Sequence, residues 1–224
     1  MVKDADTQGV VLDVVPFICT VPFINEKSIL RLTELYKTEA TVVFTSANAV
    51  EAITTGKPAQ LSRWKIYCIG NATKNAVSGY FDKGTIAGTA DDAGQLAKVI
   101  IERGVQQVVF FCGNKRMDTL PEVLKRSGVQ VEEIIVYKTE ETPQVVNEEY
   151  EGILFFSPSG VDSFFSKNKV PGHTVLFAIG NTTAKALALH SDNELVTGDI
   201  PSKKVLISKA IDYLKKGNNH NSNE

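Results

Sequence analysis

The sequence predicts an α/β protein built as two similar three-layer α/β/α lobes, and three observations point that way. Short apolar runs alternate with segments whose apolar residues fall at helical spacing, the pattern of parallel strands joined by crossover helices. Much of that pattern occurs twice. Phe44-Thr45-Ser46-Ala47-Asn48-Ala49-Val50 and Ile69-Gly70-Asn71-Ala72-Thr73 return as Phe155-Phe156-Ser157-Pro158-Ser159-Gly160-Val161 and Ile179-Gly180-Asn181-Thr182-Thr183. Ala90 to Leu96 likewise matches Ile200 to Leu206, so each copy reads strand, helix, strand, helix, strand, helix. Finally, a chain of 224 residues that is 43% hydrophobic and 22% charged can bury the core such lobes need.

Val10 to Ile18 reads as a strand, bounded by Gly9 and softened by Pro16. Glu26 to Tyr36 reads as a helix through Ile29, Leu30, Leu32 and Leu35. Strands follow at Thr41 to Thr45, Lys65 to Ile69, Thr85 to Ala87, Val108 to Cys112 and Val131 to Tyr137. The helices between them are Asn48 to Thr55, Ala72 to Gly79, Asp92 to Arg103 and Leu120 to Arg126. Gly56, Gly79, Gly104 and Gly128 stand where these helices stop, as the left-handed residue of a helix end often does. Lys138 to Glu149 is polar and turn-rich and separates this run from the second copy.

In the second copy, Gly152 to Phe156, Thr174 to Ile179 and Leu195 to Thr197 read as strands. Pro158 to Phe165, Thr182 to His190 and Pro201 to Leu214 read as helices. Pro158 takes the first helical position, where its missing N–H costs nothing. Gly217 to Glu224 has no apolar residue, and a disordered tail is expected there. The first lobe thus has five strands and the second copy three. Val10 to Ile18 supplies a fourth if the chain begins in one lobe, builds the other whole and returns.

A net charge of −2 argues against non-specific nucleic-acid binding, which needs a broadly basic face, and leaves room only for a local basic patch. Cys19, Cys68 and Cys112 are scattered and odd in number, as are His173, His190 and His220, so neither a disulfide framework nor a metal site is expected. No apolar run reaches the ~20 residues of a membrane span, and the N-terminus carries no signal-peptide pattern. The protein is expected in the cytoplasm.

Four strand-to-helix turns concentrate polar residues: Ser46 with Asn48, Asn71 with Thr73, Ser157 with Ser159 and Gly160, and Asn181 with Thr182 and Thr183. Each alone is explained as an N-cap, whose side-chain oxygen accepts one backbone N–H. All four fall at the carboxyl ends of parallel strands, where open α/β sheets bind ligands, and helix starts offer N–H donors to anions. Gly113-Asn114-Lys115-Arg116 forms a fifth turn at the same sheet end, either a solvated loop or a binder of carboxylates or phosphates. Gly113 allows close backbone approach. No GxGxxG, GxxxxGK[ST] or Gly-x-Ser-x-Gly pattern occurs, so nucleotide binding and serine hydrolysis find no support. Tyr137, where the chain leaves the first lobe, is either a packing aromatic or a phenol facing a ligand.

At these residues the chain resembles the uroporphyrinogen-III synthase family. Six pieces carry the likeness, in the family's order and spacing: Val43 to Val50, Ile69 to Thr73, Phe111 to Arg116 with Leu120-Pro121, Val136-Tyr137-Lys138-Thr139, Phe156 to Val161, and Ala178 to Ala184. The resemblance implies two flavodoxin/Rossmann-like lobes joined by two extended linkers, with the active site in a cleft between them. On this chain that means a discontinuous lobe from residues 1–19 plus 140–224, a continuous lobe from 23–136, and linkers near 19–22 and 137–142. The family's usual opening, a strand ending in Thr-Arg or a similar pair and then a helix, has no counterpart here. The discontinuous lobe is therefore expected to lack a strand.

The implied reaction is cyclisation of hydroxymethylbilane, a linear tetrapyrrole with eight carboxylates, to uroporphyrinogen III, with loss of water and inversion of ring D through a spiro intermediate. Motif matching implies that the Tyr137 phenol assists loss of the hydroxyl. It also implies substrate contacts at Ser46, Asn48, Asn71, Thr73, Gly113, Asn114, Lys115, Arg116, Ser157, Ser159, Gly160, Asn181, Thr182 and Thr183. No metal or organic cofactor, no nucleic acid and no membrane are implied. A monomer is, together with a transient contact to the preceding enzyme, hydroxymethylbilane synthase. The alternative is a non-catalytic two-lobed binder of tetrapyrroles or polycarboxylates, since fold does not imply function.

Overall fold

A computed structural model describes residues 9–55, 63–200 and 202–221. The chain divides into two compact units, Thr20–Thr139 and Met1–Cys19 with Glu140–Glu224. Among the described residues no helix is long and apolar enough to cross a membrane.

The Thr20–Thr139 unit is built on a six-stranded sheet. Its strands are β1 (Ile18–Pro22), β2 (Ala40–Phe44), β3 (Trp64–Ile69), β4 (Ile86–Ala90), β5 (Gln107–Gly113) and β6 (Gln130–Glu141), in the order β1-β6-β5-β2-β3-β4. Pairs β2/β3, β3/β4, β2/β5 and β5/β6 are parallel. Phe23 N–H donates to Val136 C=O and Thr142 N–H to Phe17 C=O, so β1 runs antiparallel to β6.

The period of two along each strand sorts side chains to the two faces. Val42 and Phe44 of β2 and Val109 and Phe111 of β5 pack under α1 (Glu26–Leu35), α2 (Ala47–Thr54) and α3 (Gly70–Tyr80). Val43, Val108 and Phe110 pack under α4 (Ala93–Glu102) and α5 (Thr119–Arg126) on the other face. Both faces of the strands are covered, which is why they read as near-continuous apolar runs.

The other unit repeats the plan on a smaller scale. Strands β7 (Gly152–Phe155), β8 (Val175–Ala178) and β9 (Leu195–Thr197) pair in parallel in that order. Helices α6 (Pro158–Phe165) and α7 (Asn181–Ala188) cover one face through Val161, Phe164 and Leu187. Helix α8 (Lys203–Asn221) covers the other through Leu206 and Ala210.

Three expectations are corrected. Val10 to Ile18 is not a strand: only Ile18 belongs to β1, and β1 joins the larger sheet, leaving three strands in the smaller one where four were expected. Its polar groups find side-chain partners instead of a ladder. Pro16 C=O accepts from Thr142 Oγ1 at 3.2 Å and Gln144 Nε2 at 2.7 Å, and Tyr150 Oη donates to Asp13 at 3.0 Å. Between Val11–Ile18 and β7 lies a cavity of about 380 Å³, with Val11 84% and Val14 76% exposed. Second, Tyr137 does not end its strand. β6 continues to Glu141, into the segment read as turn-rich, because antiparallel β1 supplies backbone partners. Third, α8 runs to Asn221 through Gly217 where a disordered tail was expected, since extending a helix costs far less than starting one. Gly56, Pro201 and residues 222–224 lie outside the described residues.

Candidate active site

In an open α/β sheet the strand order reverses at one point, and the loops leaving its two strands diverge to leave a crevice. In the larger unit that point falls between β2 and β5, which pair Phe44 with Phe111 at their carboxyl ends. The turns at Ser46 and at Gly113-Asn114-Lys115-Arg116 are therefore neighbours. β6 lies beside β5 and brings Tyr137 to the same end, opposite Gly113 across a register shift between Cys112 and Gly113.

Gly113 carries the Tyr137 ring directly over its Cα. A Cβ at Gly113 would stand 2.5 Å from Cε2 and Cζ of Tyr137 and 2.8 Å from its hydroxyl oxygen. Asn114 grips the same strand twice: its N–H donates to Tyr137 C=O at 3.2 Å, and its Oδ1 accepts from Thr139 N–H at 2.8 Å. Tyr137 is half-buried against the core beneath α1 to α3. Among the described residues its hydroxyl has no hydrogen-bond partner.

The cations of this turn are placed differently. Lys115 is exposed. Arg116 is committed inside the unit: its Nε donates to Glu133 at 2.5 Å and its guanidinium also pairs with Asp118, while Lys125 reaches Glu133 at 2.7 Å. The bond to Asp118, then that to Glu133, raise the Arg116 pKa against the opposing cost of burial. Burial pushes the Glu133 carboxyl upward, but hydrogen bonds from Lys125 and Arg116 outweigh it and hold the carboxyl below its ordinary value. Burial also pushes the Cys112 thiol up to about 11.

The four repeated turns divide into two kinds. Ser46 caps α2 by accepting from Asn48 N–H at 3.1 Å, and Ser157 caps α6 by accepting from Gly160 N–H at 3.2 Å, with Ser159 Oγ 3.4 Å away. Their serines are thus engaged as caps, the role any one such turn suggests. Helices α3 and α7 start after Ile69 and Gly180 with no side-chain cap, so their first N–H groups remain available. Gly70 makes the α3 start possible at φ +65°. Asn71 is the second residue of α3, and Asn181 and Thr182 are exposed at the start of α7. Thr73 and Thr183 are 5% and 1% exposed, so they pack the first turns of these helices and present little surface to a ligand.

Lys203 was not singled out by its sequence context. It opens α8, and its ammonium lies 5.5 Å from the Phe156 ring beside the Ser157 turn. Its one sequence signal is a place just after the strand-end segment that matches Ala90 to Asp92.

Comparison with known proteins gives a consistent result. The family model "Uroporphyrinogen-III synthase HemD" matches residues 1–208. A protein of Saccharomyces cerevisiae named uroporphyrinogen-III synthase is 30% identical over an alignment of 203 residues, covering 73% of this chain and 70% of the relative. Uroporphyrinogen-III synthetase from Helicobacter pylori superposes with a TM-score of 0.65 at 16% identity, covering 90% of this chain and 95% of that one. A mutant uroporphyrinogen III synthase from Thermus thermophilus gives 0.62 at 14% identity, covering 95% and 92%. At such identities the two structures bear on the fold alone.

Proposed function

The chain belongs to the uroporphyrinogen-III synthase family, and from that premise we propose that it is a lyase closing hydroxymethylbilane to uroporphyrinogen III with loss of water. The observation that carries this reading is the Tyr137 phenol, which has no hydrogen-bond partner among the described residues and lies on β6 opposite Gly113, one strand from the switch point of the sheet.

The chemistry asks for three things. Eight carboxylates must be held by a protein of net charge −2. Uncapped helix starts do this without side-chain cations, since the first N–H groups carry partial positive charge aimed outward. The starts of α3 and α7 are the donors of this kind, and Lys115 and Lys203 add charge. Next, the hydroxyl of ring A must leave, giving an azafulvenium cation. The Tyr137 phenol donates a hydrogen bond to that oxygen as its charge grows, an assisting role suited to a weak acid. Last, ring D must attack through its substituted carbon to form the spiro intermediate, whose fragmentation and reclosure invert the ring. Holding the two ends of the bilane together supplies most of that step. The same reading extends to a cytoplasmic monomer that takes its substrate from the preceding synthase by transient contact.

The test is the isomer ratio formed from freshly generated hydroxymethylbilane. Mainly uroporphyrinogen III is expected; uroporphyrinogen I alone, the spontaneous product, would show a binder without turnover and overturn the reading.

A further inference from the structure

We infer that Gly113 and Asn114 are positioning residues that aim the Tyr137 phenol, rather than contacts for the substrate. The inference rests on the role of Tyr137 proposed above.

A tyrosine on a strand ordinarily has rotameric freedom at its ring, and a phenol that assists a departing hydroxyl must be held within a fraction of an ångström. Two features of the β5 end restrict this ring. The register shift between Cys112 and Gly113 sets Gly113, rather than Asn114, against Tyr137, and the missing Cβ leaves the recess in which the ring lies. Any Cβ here forces a shift: the methyl of alanine would stand 2.5 Å from the ring edge and 2.8 Å from the hydroxyl oxygen. That overlap is with the phenol end, so relief requires the functional group itself to move.

Asn114 fixes the backbone beneath the ring. Its N–H takes the carbonyl of Tyr137 and its side-chain oxygen takes the N–H of Thr139, bracketing Lys138. Beyond Gly113 the β5 ladder has ended, and the asparagine side chain stands in for one more backbone acceptor. Both devices act on Tyr137 or its strand, and the Asn114 carboxamide oxygen is already used. A substrate carboxylate could not hydrogen-bond to that oxygen, because carboxylate and carboxamide oxygen are both acceptors.

The experiment uses the full chain with Gly113→Ala, Asn114→Ala and Asn114→Asp, each alone, and Gly113→Ala again on Tyr137→Phe. Misaiming the phenol should lower kcat for the type III product by about 10- to 100-fold with KM near wild type. Asn114→Asp, which keeps the acceptor oxygen, should recover most of the kcat lost in Asn114→Ala. On Tyr137→Phe, where no hydroxyl remains to misplace, Gly113→Ala should change kcat less than about twofold. A raised KM with unchanged kcat would make these residues substrate contacts and overturn the inference, as would equal losses on both backgrounds. A second readout needs no turnover: in 3-fluorotyrosine-labelled protein the Tyr137 resonance, assigned by its absence in Tyr137→Phe, should shift in Gly113→Ala and Asn114→Ala. An unmoved resonance overturns the clamp. Full activity of Tyr137→Phe would instead sink the proposed role of Tyr137, with the fluorine shift still deciding whether the clamp exists. Should Gly113→Ala fail to fold by circular dichroism, the exposed Asn114 pair carries the test.

Discussion

Glu132 and Glu133 are neighbours on β6, and because successive strand residues face opposite ways they are anchored by different helices. Glu132 takes a two-pronged bond from Arg31 of α1, both contacts at 2.8 Å. Glu133 is held by Lys125 of α5 and by Arg116 from the turn after β5. The second anchor ties the Gly113 turn to the strand that carries Tyr137, and it explains why Arg116 serves the fold before any ligand. It also carries a pH signature. The folded-state pKa of Glu133 is lowered, so its ion pairs contribute fully above the ordinary carboxylate value near ~4.3, and the contribution is lost as pH falls through the lower folded value. Glu133→Gln should therefore lower the urea midpoint at pH 7 and flatten its decline in acid, the two proteins converging once Glu133 is protonated in the folded state. Midpoints of wild type and variant that fall in parallel from pH 7 to 3 would show that Glu133 has no share in acid sensitivity.

At the scale of the element, the four repeated turns look alike in sequence and differ in structure. Ser46 and Ser157 spend their hydroxyls on caps, whereas α3 and α7 begin uncapped. An uncapped start can serve stability or ligand binding, and one isosteric change separates the two. Asn181→Asp places a carboxylate at the start of α7, stabilising the helix by about 0.3–1 kcal/mol through its dipole. If those N–H groups receive a substrate carboxylate, the same change should raise KM several-fold while the melting temperature rises. A higher melting temperature with unchanged KM would leave α7 a structural helix only.

The turns themselves were legible because strand-to-helix handovers are local: an apolar run, a small polar residue and a periodic helix are all within a dozen residues. Long-range pairing was not. Val10 to Val15 is apolar and β-branched like a strand but meets no ladder, and nothing local reveals that β1 starts only at Ile18. The ring of Tyr137 over Gly113 likewise joins residues 24 positions apart through a register shift. A glycine ending one strand and a tyrosine near the end of the next was its only trace.

For the whole molecule, duplication has produced two units of unequal strength. The Thr20–Thr139 unit encloses two extended buried clusters, one on each face of its larger sheet. The other unit has three strands and smaller clusters, and β7 borders a cavity instead of a fourth strand. Less apolar surface buried per residue means less stability to set against chain entropy, so the smaller sheet should unfold at lower denaturant. The chain carries its own reporter for the comparison. Trp64 is the single tryptophan, 2% exposed in the larger unit, its ring stacked 4.8 Å from Tyr36 and close to Phe81 and Phe111. In a urea titration, far-UV circular dichroism follows both units, while tryptophan emission follows the larger one alone. The ellipticity should begin to fall before the emission shifts, with the second part of its loss coinciding with the Trp64 transition. Superimposable curves would mean that the units unfold as one cooperative block, and that the cavity beside β7 costs the smaller sheet too little to separate them.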